Sequence, residues 1–151
     1  MTVRALGPGR YGLGQLRPGD RIEAGHRQVT AGLIDAFAEM SGDRFEIHMS
    51  AEAARRHGFD DRVAHGLLVL SLVDGLKNQA PAQFDAVASL GWDWRFAAPV
   101  LAGDTIQVVI TVEALRPTSD GKRGIATLTF AVTNQRGETV QQGQNKLMIY
   151  A

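Results

Sequence analysis

Apolar residues in the first half of the chain recur at the spacing of an α-helix. The first predicted helix begins after Thr30 and ends near Gly42. Its apolar positions are Leu33, Ile34, Phe37, Ala38 and Met40. A second, shorter helix is predicted over 51–57, with Ser50 as its N-cap. Residues 41–49, between the two helices, are predicted to form a loop.

A third predicted helix, over 65–78, differs from the others because its apolar residues cover every side. These residues are Leu67, Leu68, Val69, Leu70, Leu72, Val73 and Leu76. A helix that is apolar all round has to be surrounded by protein. Asp74 is the one charge near its middle. We therefore expect this helix to lie at the centre of the fold.

The second half of the chain changes to the period-two alternation of β-strands. Four strands are predicted, over 90–96, 106–113, 126–133 and 138–150, and another over 21–29 precedes the helices. Alternation of apolar and polar residues is typical of antiparallel sheets with one buried face. The economical arrangement is an α+β fold in which a curved antiparallel sheet wraps around the central helix, known as the hotdog fold.

The N-terminal stretch, residues 1–20, is rich in glycine and contains two prolines. Glycine loses too much backbone entropy on ordering for a helix to form here. We expect an extended arm that leads into the first strand. The chain of 151 residues is expected to form one domain, 1–151, because no internal repeat or second hydrophobic unit is visible.

The overall composition excludes several classes of function. Lys and Arg number 16 and are balanced by 16 Asp and Glu, so no basic face is available for nucleic acid. The absence of cysteine rules out thiol nucleophiles, disulfides and zinc–thiolate sites. No segment is apolar and long enough for a signal-peptide core or a membrane span. We expect a cytoplasmic protein with no membrane partner.

Asp43 and His48 are the residues of the 41–49 loop that can exchange protons. They lie five residues apart, and a loop can bring two such side chains to one point. A carboxylate and an imidazole together can hold a water molecule and move protons in both directions near neutral pH. The pair is the candidate acid–base centre, although Asp–His neighbours also occur on ordinary surfaces.

The start of the third predicted helix offers a second candidate site, at His65 and Gly66. Backbone N–H groups at a helix start are unpaired, and the helix dipole favours negative charge there. Because Gly66 has no side chain, a ligand can approach its N–H closely. This geometry suits the oxyanion that develops on a thioester carbonyl. The alternative is that Gly66 serves close packing and that His65 caps the helix.

Taken in order, these segments resemble the MaoC-like, (R)-specific enoyl-CoA hydratase family. The matching segments are SGDRFEIH at 41–48, GF at 58–59, VAHGLL at 63–68 and FAAPVLAGDT at 96–105. One departure concerns the loop, because the family usually has Asn-Pro where this chain has Phe45-Glu46. The change removes the stiffness of a proline and adds bulk and charge.

The resemblance implies reversible hydration of a 2-enoyl-CoA to the (R)-3-hydroxyacyl-CoA, within fatty acid metabolism. It implies that Asp43 and His48 bind one water at the β-carbon, with His48 as its base and Asp43 as the proton donor to the α-carbon. The division of labour between these two stays open. The Gly66 N–H is expected to stabilise the enolate-like oxygen. No metal is implied, and no cofactor other than the thioester substrate, carried by coenzyme A or acyl carrier protein.

Three further residues are candidates for contact with the substrate. His65 is expected to organise the helix start, and Phe45 belongs to the changed loop. Arg95 is a candidate to meet the phosphates of coenzyme A, and the alternative is a solvated or ion-paired arginine. The resemblance also implies a homodimer or a higher homo-oligomer.

Two other functions remain open on the sequence. A hotdog thioesterase needs a carboxylate on the central helix, and Asp74 is the candidate. That residue lies about 13 Å along the helix from His65, which is far from a carbonyl held at the helix start. A non-catalytic acyl-CoA-binding subunit is the other alternative, favoured by the Phe45-Glu46 change and opposed by retention of Asp43 and His48.

Overall fold

The computed structural model describes residues 2–151, and within them a six-stranded and a two-stranded sheet accompany four α-helices. The strands are β1 (Arg4–Ala5), β2 (Gly9–Tyr11), β3 (Asp20–Gln28), β4 (Ala82–Phe84), β5 (Ala86–Phe96), β6 (Thr105–Pro117), β7 (Arg123–Thr133) and β8 (Thr139–Tyr150). The helices are α1 (Ala31–Ser41), α2 (Glu46–Met49), α3 (Ala51–Arg56) and α4 (Gly66–Gln79). A turn of 3-10 helix covers Leu13–Gln15.

The strands of the large sheet follow the order β1-β3-β6-β7-β8-β5. Neighbouring strands run antiparallel except β1 and β3, which are parallel. Register shifts interrupt the pairing within β3, β5, β6 and β8. Irregularities of this kind bend a strand and increase its twist, which suits a sheet that curves around a helix.

The α4 helix packs against the curved sheet and forms the centre of the core. Its residues Val69 and Val73 are fully buried. They belong to the same hydrophobic cluster as Ile110 of β6 and Leu128 and Phe130 of β7. Burial of each such side chain contributes about 1.5–3 kcal/mol to folding. The predicted wrapping of a sheet around this helix is confirmed.

The expectation that protein surrounds α4 on every side is wrong for the single chain. Leu67 is 60% exposed, Ser71 is exposed, and Leu70 is only half-buried. A sheet covers only the side of a helix that it contacts, so part of the apolar surface stays open. No helix described within residues 2–151, including α4, is long and apolar enough to cross a membrane.

The N-terminal arm is more structured than its glycine content predicts. Met1, the first residue of the predicted 1–20 arm, lies outside the described residues. Further along, β1 pairs in parallel with β3, and β2 pairs in parallel with β4. Leu13 packs on β7 so closely that a Cβ added to Gly124 would lie 2.7 Å from it. These strands of two and three residues are too short to show an alternation in the sequence.

The predicted helix starts are confirmed, but the 41–49 loop is shorter than predicted. Thr30 and Ser50 each cap their helix with a side-chain oxygen, as expected. Gly42 ends α1 in the left-handed region, at φ +79°. The loop then gives way to α2 over Glu46–Met49, a single turn that is too short to show a helical period.

The alternation predicted for 90–96 is confirmed in part. Trp92 and Trp94 pack their rings on Phe130, with centroid distances of 5.1 and 5.8 Å. Leu90 breaks the pattern, because a register shift at this point of β5 leaves it 50% exposed. The short strand β4, which the sequence did not predict, precedes β5.

Candidate active site

A cavity of about 530 Å³ lies at the N-terminal end of α4. Asp43, His48, His65 and Gly66 all line it, so the structure brings together residues from both candidate segments. Its walls also include the apolar side chains of Ile47, Phe59, Val63, Leu67, Val69, Phe96 and Val100. An apolar cavity that contains a few polar groups is typical of a small-molecule site.

The loop between α1 and α2 holds Asp43 through its backbone. The N–H of Asp43 donates to Oγ of Ser41 at 3.1 Å, and the Asp43 carboxylate accepts from the N–H of Phe45 at 3.2 Å. Nε2 of His65 donates to the main-chain oxygen of Asp43 at 2.8 Å. The Asp43 side chain remains exposed, so its carboxylate is accessible to a molecule in the cavity.

His48 lies in α2, and its ring is buried, with 8% of the residue exposed. Its Nδ1 donates to the main-chain oxygen of Val63 at 2.6 Å. Because a carbonyl oxygen can only accept, the proton of the neutral ring sits on Nδ1. Nε2 therefore carries the lone pair, and a neutral His48 can act as a base through it.

Burial lowers the pKa of His48 below its ordinary value of 6.5, because surroundings poor in water disfavour the imidazolium. The Val63 carbonyl and the Asp43 carboxylate raise this pKa, while His65 and Arg62 lower it. The net direction is downward. His48 is thus neutral at physiological pH, which is the state that a base requires.

His65 connects the acid and the base. It is 2% exposed, and its ring stacks on that of His48 with centroids 3.9 Å apart and planes inclined by 27°. Its side chain does not cap α4, which was the alternative interpretation, but donates to the main-chain oxygen of Asp43. Its Nδ1 atom is buried and has no hydrogen-bond partner among residues 2–151.

Asp43, His48 and His65 also form a set of potential metal ligands, since one ligand atom from each lies within 4.8 Å of the others. A metal ion binds an imidazole nitrogen in the plane of the ring. Two of the four imidazole nitrogens are already engaged, because Nδ1 of His48 and Nε2 of His65 each donate to a main-chain oxygen.

Gly66 begins α4, and its N–H is free. His65 at the N-cap supplies no side-chain cap, and no acceptor within residues 2–151 bonds the Gly66 N–H. A Cβ on Gly66 would lie 2.4 Å from Cε2 of Phe96, a separation that two carbon atoms do not tolerate. Gly66 thus packs closely against Phe96, as one of the two interpretations predicted, and its unpaired N–H lies at the start of α4 beside the cavity. Its role as an oxyanion donor stays a prediction.

Phe45 and Arg95, both expected to contact the substrate, are not among the residues that line the cavity. Phe45 is 55% exposed and packs on the rings of His48 and His57, with centroids 6.0 and 6.2 Å away. Arg95 lies in a groove formed by β5, β7 and β8. Successive side chains of a strand point to opposite faces, so Arg95 faces away from its neighbour Phe96.

Glu46 lies at the start of α2 and is exposed. It accepts a hydrogen bond of 2.7 Å from Nε2 of His57 and lies 3.7 Å from Arg56. The bond from His57 lowers the pKa of Glu46. These contacts tie α2 to α3 and restrain a loop that has no proline. Neither Phe45 nor Glu46, the residues that depart from the family pattern, lines the cavity.

Two residues that contact the site escaped the sequence interpretation. Arg62 donates from Nε to the main-chain oxygen of His48 at 2.6 Å and pairs with Asp35 of α1. Gln141 of β8 lines the cavity and donates to the main-chain oxygen of Gly66 at 3.1 Å. Their partners lie 14 and 75 residues away in the chain, so no local pattern could reveal them.

A protein-family model described as the MaoC like domain matches residues 15–134. The chain belongs to this family. The (R)-specific enoyl-CoA hydratase of Aeromonas caviae is 32% identical over 118 residues, which cover 78% of this chain and 84% of that protein. Protein MaoC of Klebsiella aerogenes is 39% identical over 98 residues, which cover 64% of this chain and 29% of that protein. The predicted family is confirmed.

Solved structures of the MaoC-like family share the fold. The MaoC-like dehydratase from Rhodospirillum rubrum aligns with a TM-score of 0.85 at 29% identity, over 93% of this chain and 97% of that chain. A Mycobacterium tuberculosis protein with a double hotdog fold aligns with a TM-score of 0.80 at 21% identity, over 96% of this chain and 44% of that chain. The predicted hotdog fold is confirmed. The chain spans only 29% and 34% of the first two relatives it matches.

Proposed function

We propose that this MaoC-like domain catalyses the reversible hydration of a 2-enoyl thioester to the (R)-3-hydroxyacyl thioester. The observation that carries the proposal is the convergence of three groups on one cavity. These are the Asp43 carboxylate, the free Nε2 of His48 and the free N–H of Gly66. General acid–base groups beside an oxyanion donor are what addition of water to a conjugated thioester requires.

The hydration step uses these groups as follows. His48 Nε2 takes a proton from a water molecule, and the resulting hydroxide forms a bond to the β-carbon. The electron pair of the carbon–carbon double bond moves toward the thioester carbonyl, whose oxygen gains negative charge and is stabilised by the Gly66 N–H. The proton on His48 then passes to the Asp43 carboxylate, and Asp43 delivers it to the α-carbon. Both residues are thereby restored, and dehydration reverses each step.

An apolar groove beside the cavity offers room for the acyl chain. Leu67 lines both the cavity and this groove, which continues along α4 past Leu70 to Trp92. Asp74, at its far end, lies 2.8 Å from Nζ of Lys77. The Asp74 carboxylate is outside the cavity that contains Gly66. This separation favours the hydratase over a thioesterase that uses Asp74 as its catalytic carboxylate.

A panel of 2-enoyl thioesters, on coenzyme A and on acyl carrier protein, tests the proposed function. We expect loss of the enoyl absorbance with formation of the (R)-3-hydroxyacyl product, identified by chiral analysis. Free thiol should not appear, since the thioester bond stays intact. Tight binding of enoyl-CoA without turnover would instead identify a binding subunit, and release of thiol would identify a thioesterase.

The pH dependence of hydration should follow His48. The reaction needs neutral imidazole, and burial holds the pKa of His48 below 6.5. We therefore expect kcat/KM to fall toward acid pH, with the midpoint of this acid limb below pH 6.5. Initial rates measured across buffered pH values will locate this limb. An acid limb centred above the ordinary histidine pKa contradicts the assignment of His48 as the base.

We further propose that two copies of the chain pair through β5. This strand is an end member of the six-stranded sheet. Leu90 and Phe96 on it are 50% and 58% exposed, and an unpaired apolar edge strand is a template for pairing. Light scattering should give twice the mass of one chain. Leu90→Lys places a charge on this edge and should yield monomer, whereas a monomeric wild type would rule out the pairing.

A further inference from the structure

The first turn of α4 lacks the restraint that most helix starts have. An N-cap Ser, Thr or Asp normally accepts a bond from an N–H of the first turn and holds it in place. Here the N-cap is His65, whose side chain bonds the main chain of Asp43 and not the helix. The missing cap leaves the first N–H groups available to a ligand. It also leaves the first turn free to fray unless another contact holds it.

Gln141 provides such a contact from the sheet. It is 2% exposed, and its Nε2 donates to the main-chain oxygen of Gly66 at 3.1 Å. Its Oε1 accepts from Nε1 of Trp94 at 2.8 Å. Because the indole N–H can only donate, this bond fixes which end of the Gln141 amide points to Gly66. The result is a hydrogen-bonded relay from Trp94 through Gln141 to the first residue of α4.

The relay is anchored in the core at its far end. The Trp94 ring packs at 5.3 Å from that of Trp92 and at 5.8 Å from that of Phe130, and Phe130 is fully buried. Phe96, two residues along β5, packs directly on Gly66. Contacts from β5 and β8 thus hold the carbonyl and the α-carbon of Gly66, and none of them occupies its N–H.

We propose that Gln141 and Trp94 are positioning residues that hold the Gly66 N–H in place for the oxyanion. This inference rests on the proposed function, since it assigns the oxyanion to that N–H. A contact to the carbonyl restrains the helix start and leaves the amide free, which a conventional cap does not do. Errors of about 1 Å in such a group lower rates about a hundredfold, so a gain in rigidity at this point has a catalytic effect.

Three variants and one control separate positioning from general stability. Gln141→Met keeps the length of the side chain but removes both hydrogen bonds. Gln141→Glu keeps the acceptor for Trp94 and loses the donor to Gly66, while Trp94→Phe removes the outer bond of the relay. Gln142→Met, at the adjacent exposed position, is the matched control. Thermal melting checks that each variant folds.

We expect kcat of Gln141→Met and Gln141→Glu to fall about tenfold to a hundredfold, with KM changed much less. Trp94→Phe should show a smaller loss of the same kind, and Gln142→Met none. Tryptophan fluorescence should shift in Gln141→Met, because Trp94 loses its acceptor, and should stay close to wild type in Gln141→Glu. Equal loss in Gln142→Met, or unchanged kcat in both Gln141 variants, overturns the inference.

A measurement that needs no turnover keeps this inference separate from the proposed function. The backbone order parameter of the Gly66 amide, measured by NMR relaxation, should be near the rigid value of about 0.85 in wild type. It should drop in Gln141→Met. If wild type hydrates no enoyl thioester, the proposed function fails, while the order parameter still decides whether Gln141 holds the amide. An unchanged order parameter in Gln141→Met overturns the positioning role.

Discussion

Replacement of His48 by alanine should lower kcat/KM for enoyl-thioester hydration by about 10²–10⁴-fold, the usual contribution of a general base. The ring is buried, and its Nδ1 is engaged by Val63, so that Nε2 is the group left to take the proton of water. Nε2 of His65 is not available for this role, because it donates to the main-chain oxygen of Asp43.

Asp43→Asn should cause a loss of similar size, since an amide cannot transfer the proton to the α-carbon. Both variants are assayed by the decay of enoyl absorbance and checked for folding by circular dichroism. His26→Ala and Asp93→Asn are matched controls, because both residues are exposed and neither lines the cavity. Rates of His48→Ala or Asp43→Asn equal to those of the controls would remove the pair from the mechanism.

Replacement of Gly66 by alanine should strongly lower the activity. The new Cβ would lie 2.4, 2.5 and 2.7 Å from three atoms of the Phe96 ring. The ring or the start of α4 must therefore move, and both lie at the cavity that holds Asp43 and His48. Phe96 is 58% exposed, so its ring can turn aside at a small cost in stability. The main effect that we expect is a loss of about 10²-fold in kcat/KM.

Gly75→Ala supplies the matched control on the same helix. A Cβ at Gly75 would meet only Nε2 of Gln79, at an ordinary 3.7 Å. Alanine is the better helix former, so this variant should gain about 0.5–1 kcal/mol and keep its activity. Full activity in Gly66→Ala would contradict the assignment of the oxyanion to this position.

The predicted helices and strands were confirmed where local interactions define them. A capping oxygen at Thr30 or Ser50 acts within its own first turn. The alternation in β6, β7 and β8 reflects one buried and one open face along each strand. Both signals lie within a few residues of sequence, so one sequence by itself is enough to display them.

Predictions failed where a distant partner decides the outcome. The two-residue strand β1 exists because β3 accepts it as a neighbour, and α2 is a single turn that Arg62 and His57 tie to other elements. The exposure of Leu90 follows from a register shift against β8. Leu67 of α4 stays exposed because one sheet covers only the side of the helix that it contacts. None of these causes leaves a local pattern.

For the site, the sequence determined the chemical groups and their order along the chain. An acid and a histidine five residues apart and a glycine after His65 were visible from residue types and spacing alone. These identities point to proton transfer beside a backbone donor, because a carboxylate and an imidazole can exchange protons near neutral pH.

Only the tertiary structure decided how these groups are held. It showed that Val63 leaves Nε2 of His48 free, that His65 binds the main chain of Asp43, and that Gln141 reaches Gly66 from β8. It also showed that Phe45 and Arg95 do not line the cavity. The reason is physical: hydrogen-bond direction and packing depend on distances between residues remote in sequence, which are set only when the sheet closes around α4.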